Sequence, residues 1–450
     1  MVSQVNSLGF WFRTNLMANY SSDNLQGRPA FGLMALVALV VANMIGAGVF
    51  TTSGFALADL HSPNRVMLAW LVGGSVAMCG AIAYGALACE ITESGGEYVF
   101  LSRLVHPAVG FLAGWVSLLA GFTSAIAFAA VTFEVYTFPS GSLPKGVVAT
   151  ITIVACALVH GWYKRSGIAG QSVMVAIKLF LLGGLLIWAA SRYGTGPSRW
   201  LFSQPNEIPP FSWAVFARSL MWISLSYAGF NAAIYVAGEA AEASRAVPKS
   251  LWLGTALVTV FYLALNAVFV HAPALEQVIG QADVAVFAAE ALGGKRLVFI
   301  VRGIIALALL TSVSSMILAG PRVYARMADD RVLPDRLRLR DGVPRGAIVL
   351  QSMLAIVVVW ISSLQDLLSY LGFTLSLSSA GAVACVFVIH FRDNSRVSIV
   401  RRVAAVVYVV MTVFIAVFAA WRAPWPSVAG LGTLASGLLV YYLLEQKRRY

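Results

Sequence analysis

The chain has 450 residues, of which 59% are hydrophobic and 11% charged, with a formal net charge of +12. Soluble domains carry about 25% charged residues, so a soluble globular chain is excluded, and long apolar runs rather than short alternating ones exclude a β-barrel. In an all-α polytopic membrane protein the basic excess reads as cytoplasmic loops, not as a nucleic-acid surface.

Residues 1–30 contain no long apolar stretch of the kind a cleaved signal peptide needs. They form a cytoplasmic N-terminal extension, in which Leu8 to Arg13 lies on the membrane surface or is disordered. A bilayer-crossing helix needs roughly 20 apolar residues. Twelve such spans follow, near 31–58, 66–90, 108–137, 146–163, 169–190, 213–237, 250–273, 296–325, 346–364, 367–391, 399–421 and 426–444. Span one is interrupted at Asn43-Met44-Ile45-Gly46-Ala47-Gly48, and span six at Ser224-Leu225-Ser226-Tyr227-Ala228-Gly229-Phe230-Asn231. A break in a membrane helix frees backbone N–H and C=O groups, and such breaks survive only where they line a cavity. Close helix packing explains a single Gly-x-x-x-Gly equally well. Two breaks at matching places in two halves point instead to the substrate site of a secondary transporter.

Lys and Arg set the orientation. With both termini inside, the cytoplasmic connections hold 21 of these residues and the outer ones 7, with Lys178, Arg218 and Arg302 inside spans. Spans one to five (about 31–190) and six to ten (about 213–391) are the natural halves. Five is odd, so the second half enters from the opposite side: a 5+5 inverted repeat forming one core, 31–391. Spans eleven and twelve and a cytoplasmic C-terminus (392–450) are additions. The cysteines Cys79, Cys89, Cys156 and Cys385 all fall in apolar segments, without metal-ligand spacing or a disulfide framework.

Four motifs follow this span order. They are Ile45-Gly46-Ala47-Gly48-Val49-Phe50; Ser94-Gly95-Gly96-Glu97-Tyr98-Val99-Phe100 with Gly110 to Trp115; Tyr227 to Asn231 with Gly238-Glu239 and Arg245 to Lys249; and Arg322 to Pro334. With them the chain resembles the amino acid–polyamine–organocation superfamily over about residues 30–395. The resemblance implies a leucine-transporter-type fold and amino acid import across the cytoplasmic membrane, with no cofactor. It also implies that an amino acid's head group is held by backbone at the two breaks. The N–H groups at the start of the half-helix after Gly48 suit the carboxylate. Carbonyls near Asn43 and Ile45, and at Leu225, Ser226 and Ala228, suit the ammonium. Gly46, Ala47 and Gly48 are small enough to let backbone reach the ligand. Tyr227, Phe230, Phe122 and Ser124 are candidates for the side-chain pocket, and the two aromatics of span six are equally plausible as packing residues. The absence of an acid among these residues disfavours cationic substrates.

Lys178 lies about ten residues inside span five, in Val173-Met174-Val175-Ala176-Ile177-Lys178. A mid-span ammonium costs at least a few kcal/mol and calls for a function and a partner; snorkelling to an interface is the bland alternative. The resemblance places it where sodium-coupled relatives hold their ion. Its expected partners are carbonyls of the first break and hydroxyls of Thr311, Ser312, Ser314 and Ser315, with Ser312 and Ser315 assigned to proton coupling. Proton symport with alternating access is the leading mechanism. Exchange, with Lys178 as a fixed cation and with or without an accessory subunit, is the rival; a polyamine carrier and a membrane amino acid sensor are further alternatives.

Other polar groups take blander readings. Glu134 is interfacial or shapes a vestibule. Glu90, Glu93, Glu97 and Arg103 form an inner gate or anchor an interface. Glu239 is structural, and Arg322 to Arg345 is a basic cytoplasmic loop. The outer loop 193–210 carries a short lid. His61, His106, His160, His271 and His390 share no helical face, so no metal site is expected. No Gly-x-x-x-x-Gly-Lys-Ser/Thr loop and no catalytic constellation is present, which argues against a primary pump or an enzyme.

Overall fold

The computed structural model describes residues 31–138, 143–162, 164–192, 209–362, 364–392, 397–422 and 424–449. The expected N-terminal extension and most of the expected lid loop lie outside them.

The chain enters at Phe31, whose N–H and C=O bond to Glu239 O (3.2 Å) and Ala241 N (2.9 Å). Helix α1 (Leu33–Met44) stops after twelve residues, and α2 (Ala47–Leu60) resumes beyond Gly46. Helix α3 (Pro63–Glu90) starts with proline at its first position, where the missing N–H costs nothing. A short helix, α4 (Glu97–Leu104), precedes α5 (Pro107–Val116), a π-helical stretch at Ser117–Ser124, and α6 (Ala125–Thr137). Helices α7 (Val147–Trp162) and α8 (Lys164–Ser191) follow. Helix α9 (Trp213–Ser226) ends at a turn over Tyr227 to Asn231, followed by a 3₁₀ helix, Ala232–Glu239.

Next come α10 (Ala243–His271), the one-turn α11 (Leu275–Val278) and α12 (Val284–Ala319), kinked at Gly294. Helices α13 (Pro321–Asp329), α14 (Arg345–Ile361), α15 (Leu364–Arg392), α16 (Ile399–Arg422) and α17 (Pro424–Arg449) finish the chain.

Nine helical segments among the described residues are long and apolar enough to cross a bilayer, and α7 and α14 are shorter apolar helices. The chain is therefore a multi-pass membrane protein. The sixth expected span is α9 with its 3₁₀ continuation, cut short by the break itself. Helix α1 is surrounded by α8, α10 and α12, and α2 lies along α9. That arrangement puts both breaks in the middle of the protein. Large apolar side chains outside this core, such as Phe180, Phe299 and Phe391, are exposed, as expected of a surface whose solvent is lipid.

One charge reading changes. Arg322 and Arg326 are not loop residues, because α13 begins at Pro321; it buries Arg322 and leaves Arg326 partly covered. Arg322 is 7% exposed and its guanidinium meets the Glu239 carboxylate, with Nε–Oε1 at 2.5 Å. Glu239 is thus paired across the core. The Glu134 carboxylate accepts from Gly146 N (2.7 Å) and Ala149 N (2.9 Å). It satisfies donors that the start of α7 cannot satisfy within its own helix, where a negative charge is also favoured by the helix dipole.

Candidate functional site

The two breaks touch. A Cβ on Gly48 would lie 2.8 Å from Ser226 Cα, and one on Gly229 would lie 2.9 Å from the Asn43 carbonyl carbon. Gly229 has φ +96°, which side-chain-bearing residues rarely adopt. Bulk at either place would push the half-helices apart. Thr52 Oγ1 and Ser226 Oγ are 3.0 Å apart and close the contact on one side. The Tyr262 hydroxyl, from α10, lies between Met44 O (2.5 Å) and Ser226 O (3.0 Å), so one phenol joins a carbonyl of each break.

A cavity of about 200 Å³ lies against this junction. Asn43, Gly46, Ala47, Gly48, Leu225, Ser226, Tyr227, Ala228, Phe230 and Phe122 all line it, as does Ser312. The N–H groups of Ala47, Gly48 and Val49 open α2 and have no carbonyl partner within their helix. This end of the cavity suits an anion. The candidate ammonium acceptors are partly engaged: Leu225 O accepts from Ala228 N (3.0 Å) and Ser226 O from Tyr262. Each carbonyl retains a second lone pair.

Tyr227 is buried, its hydroxyl donating to Trp70 O (3.1 Å) and its ring packed on Trp70 and Tyr262. Phe230 sits edge-on to Tyr84 and Tyr408.

Three expected residues stand elsewhere. Ile45 is buried and absent from the cavity wall; its carbonyl instead accepts from Lys178 Nζ (3.3 Å). Ser124 faces a separate cleft with Thr123, Leu354 and Trp425, and its hydroxyl donates to Leu119 O five residues back (2.8 Å). The π-helical stretch explains this. One extra residue in a turn rotates everything after it by about 100° relative to a regular helix. Ser315 donates to Ser312 O (2.9 Å) and does not meet Lys178.

The Lys178 hydroxyl partner is Thr311, at 3.0 Å. Thr311 Oγ1 gives its own proton to Ala308 O (2.7 Å), so it accepts from the lysine. Lys178 is fully buried. Its donors meet a carbonyl and a hydroxyl oxygen rather than a carboxylate. On α8 the next polar layer is Gln171, bonded to Thr311 O (2.9 Å) and Ser314 Oγ (2.7 Å), and Ser314 also meets His160 Nε2 (2.7 Å).

The acids after α3 divide. Glu93 pairs with Arg103 (3.2 Å) and Arg326, while Asp330 pairs with Arg103 (3.3 Å) and Arg326 (3.4 Å) and accepts from Tyr98 Oη (2.8 Å). This cluster ties α4 to α13. Glu97 points the other way and lines the cavity, so the sequence argument that the pocket lacks an acid does not hold. Ser94 Oγ accepts from Gly238 N (2.9 Å), and Gly96, at φ +61°, leaves room for the Tyr235 ring. The Ser94 to Tyr98 motif therefore clasps the 3₁₀ helix. At the opposite end of the broken helices, Asp59 of α2 pairs with Arg218 of α9, Nε to Oδ2 at 2.6 Å.

Thr311 is the one of the expected hydroxyls that meets Lys178, whereas Tyr262 is not singled out by sequence and Glu97 is expected at a gate or interface rather than on the cavity wall. Tyr262 had one available signal, a hydroxyl inside an apolar span. Among the described residues no group of three or more His, Cys, Asp or Glu is placed to hold a metal.

The comparisons agree with this architecture. Residues 31–442 match the family model described as amino acid permease. The human protein named large neutral amino acids transporter small subunit 2 is 24% identical over 433 residues, covering 92% of this chain and 79% of its own. The mouse Asc-type amino acid transporter 1 is 22% identical over 94% of this chain and 82% of its own. The mouse b(0,+)-type amino acid transporter 1 is 24% identical over 92% and 87% respectively. On a match spanning nearly all described residues, the chain belongs to the amino acid permease family of the amino acid–polyamine–organocation superfamily.

Proposed function

We propose that this protein imports a neutral amino acid across the cytoplasmic membrane by proton symport with alternating access. Twelve spans form a 5+5 inverted repeat with two added helices, and both termini are cytoplasmic. The observation that carries the reading is the meeting of the two breaks, Gly48 on Ser226 and Gly229 on Asn43, at one cavity. The substrate carboxylate sits on the N–H groups opening α2, and its ammonium sits on carbonyls of the second break. The side chain extends among Phe122, Phe230 and Tyr227. The apolar share of that lining and the printed name of the large-neutral relative support a neutral side chain.

Lys178 is the proton carrier. Its bond to Ile45 O lets gain or loss of a proton act directly on the first break. A lysine with no carboxylate partner is balanced between desolvation, which favours the neutral form, and nearby oxygen acceptors, which favour the charged one.

A thermal-shift screen of the purified protein against the common amino acids and polyamines, followed by vesicle uptake of the best ligand, tests this reading. Uptake should rise with an inward proton gradient, collapse with a protonophore and need no sodium. Putrescine lacks the carboxylate and should compete poorly. Strong putrescine uptake without amino acid uptake overturns the assignment.

The second reading is exchange, with Lys178 as a permanent cation bridging α8, the first break and α12. It is favoured by the neutral, acceptor-lined setting of Nζ. The relative named as a small subunit supports an accessory partner in that case. Uptake only into preloaded vesicles selects it.

A further inference from the structure

Glu97 is the carboxyl group of the cavity wall, only 4% exposed. Its two oxygens are treated differently. Oε1 accepts from Tyr84 Oη (2.9 Å) and from Asn231 Nδ2 (2.5 Å). Oε2 is enclosed and meets no hydrogen-bond donor among the described residues. The Tyr235 hydroxyl is close enough to act on the carboxyl, and itself accepts from Asn231 Nδ2 at 3.1 Å. The guanidinium groups nearby, Arg103 and Arg326, are spent on Glu93 and Asp330.

This asymmetry is the pattern of a neutral acid. A carbonyl-type oxygen accepts two bonds, whereas a hydroxyl-type oxygen needs no donor because it carries the proton itself and can offer it to the neighbouring Tyr235 oxygen. An anion would leave one enclosed oxygen without a protein donor and without a cation beside it, which is costly. A substrate ammonium in the cavity does not reach Oε2, because that oxygen has no open surface. A proton needs no such opening.

We propose that Glu97 is a proton-binding site of the cavity, carrying its proton on Oε2 while the second break is docked, and that losing this proton weakens substrate binding. The link to substrate rests on the amino acid reading above; the protonation itself does not. Asn231 ends the second break, and Phe230 packs on the same Tyr84 that donates to Glu97. Charging Glu97 draws water into this shell and shifts both. The titratable groups facing it are Tyr84 on α3, Tyr235 on the 3₁₀ helix and Tyr408 on α16, with Tyr324 of α13 beyond Tyr235. All are phenols that stay neutral at physiological pH. Burial pushes the Glu97 carboxyl up, against the opposing pull of its own N–H, Tyr235, Tyr84 and Asn231.

The test uses the purified full chain. Infrared difference spectra between wild type and Glu97→Gln at about pH 6 should contain a protonated-carboxyl band that titrates away as pH rises. Glu97→Asp should keep such a band at a shifted midpoint, which preserves the test if the Gln variant folds poorly. In parallel, L-leucine affinity of the wild type should weaken by about tenfold per pH unit above the midpoint. The Gln variant, a mimic of the neutral acid, should hold the low-pH affinity throughout. The same difference should persist in a Lys178→Ala background. Absence of the band, or a Gln variant that keeps the wild-type pH profile, overturns the proposal. So does a Gln variant that loses only L-lysine binding. A band present with no amino acid bound at any pH leaves the proton site standing and removes the amino acid reading.

Discussion

The two breaks are built from opposite materials. The first is two residues wide, Ile45 and Gly46, and its freed carbonyl is taken by a cation, Lys178, from a neighbouring helix. The second runs over five residues, Tyr227 to Asn231, turns through a positive-φ glycine, and is tied through an amide side chain to an acid, Glu97. A narrow break needs one strong donor. A wide one needs local bonds, such as Ala228 N to Leu225 O and Ala232 N to Gly229 O, plus an external clasp. Tyr262 spans the two, with one hydroxyl placed between a carbonyl of each.

Breaking the first tie should have the largest effect. Lys178→Ala should remove most net uptake, by more than tenfold, because Ile45 O and Thr311 lose their buried donor; an unsatisfied buried group costs about 1–3 kcal/mol. Lys178→Arg keeps a charge that cannot be released and should not restore gradient-driven uptake. A fully active, pH-responsive Lys178→Ala variant removes the proton-relay role.

Glycine substitutions sharpen the comparison. Gly48→Ala meets backbone of the second break at 2.8 Å, and Gly48→Leu should abolish binding in a protein that still inserts. Gly46→Ala meets only the Ser312 hydroxyl, at 3.0 Å, and should be milder, while Gly46→Leu should also abolish binding. Ligand-induced thermal shifts give the order. Equal, unimpaired binding by all four variants would move the site away from the junction.

Tyr262→Phe tests whether the breaks act together. It deletes one proton shared by two carbonyls and should weaken ligand binding by about tenfold, within the range of one or two lost hydrogen bonds. Unchanged affinity would mean that the breaks are held independently. The smallest effect is expected at Ser124. Ser124→Ala should leave affinity within about twofold, because the residue faces another cleft and its hydroxyl is bonded to Leu119 O of its own helix. Phe122→Ala should change the ranking of large side chains in competition assays.

The difference between the breaks also governs what the sequence could reveal. Gly46-Ala47-Gly48 interrupts an apolar run, and Lys178 is an isolated charge in another, so both stand out against a uniform background. Glu97 sits among Glu90, Glu93 and Arg103, where nothing local distinguishes the acid that turns inward from those that pair outside. Its direction is set by Gly95 and Gly96, both at positive φ, which are legible as a turn but not as an aim. Ser124 was misplaced because a π-helical stretch shifts the register of α6 without a residue signature. Arg322 read as a loop charge because its partner, Glu239, is 83 residues away in the chain. Hydropathy found the segments of the fold, whereas contacts between distant segments decided which polar side chains enter the cavity.

The central claim is that the junction of the breaks holds an amino acid by its head group. Structure determination with the best ligand bound tests it most directly. The account predicts the ligand carboxylate at about 3 Å from the N–H groups that open α2, and its ammonium against carbonyls of the second break. Its side chain should be directed toward Phe230. A ligand bound in the cleft beside Ser124, or one held at the junction by side chains with its head group facing away from both breaks, would contradict it.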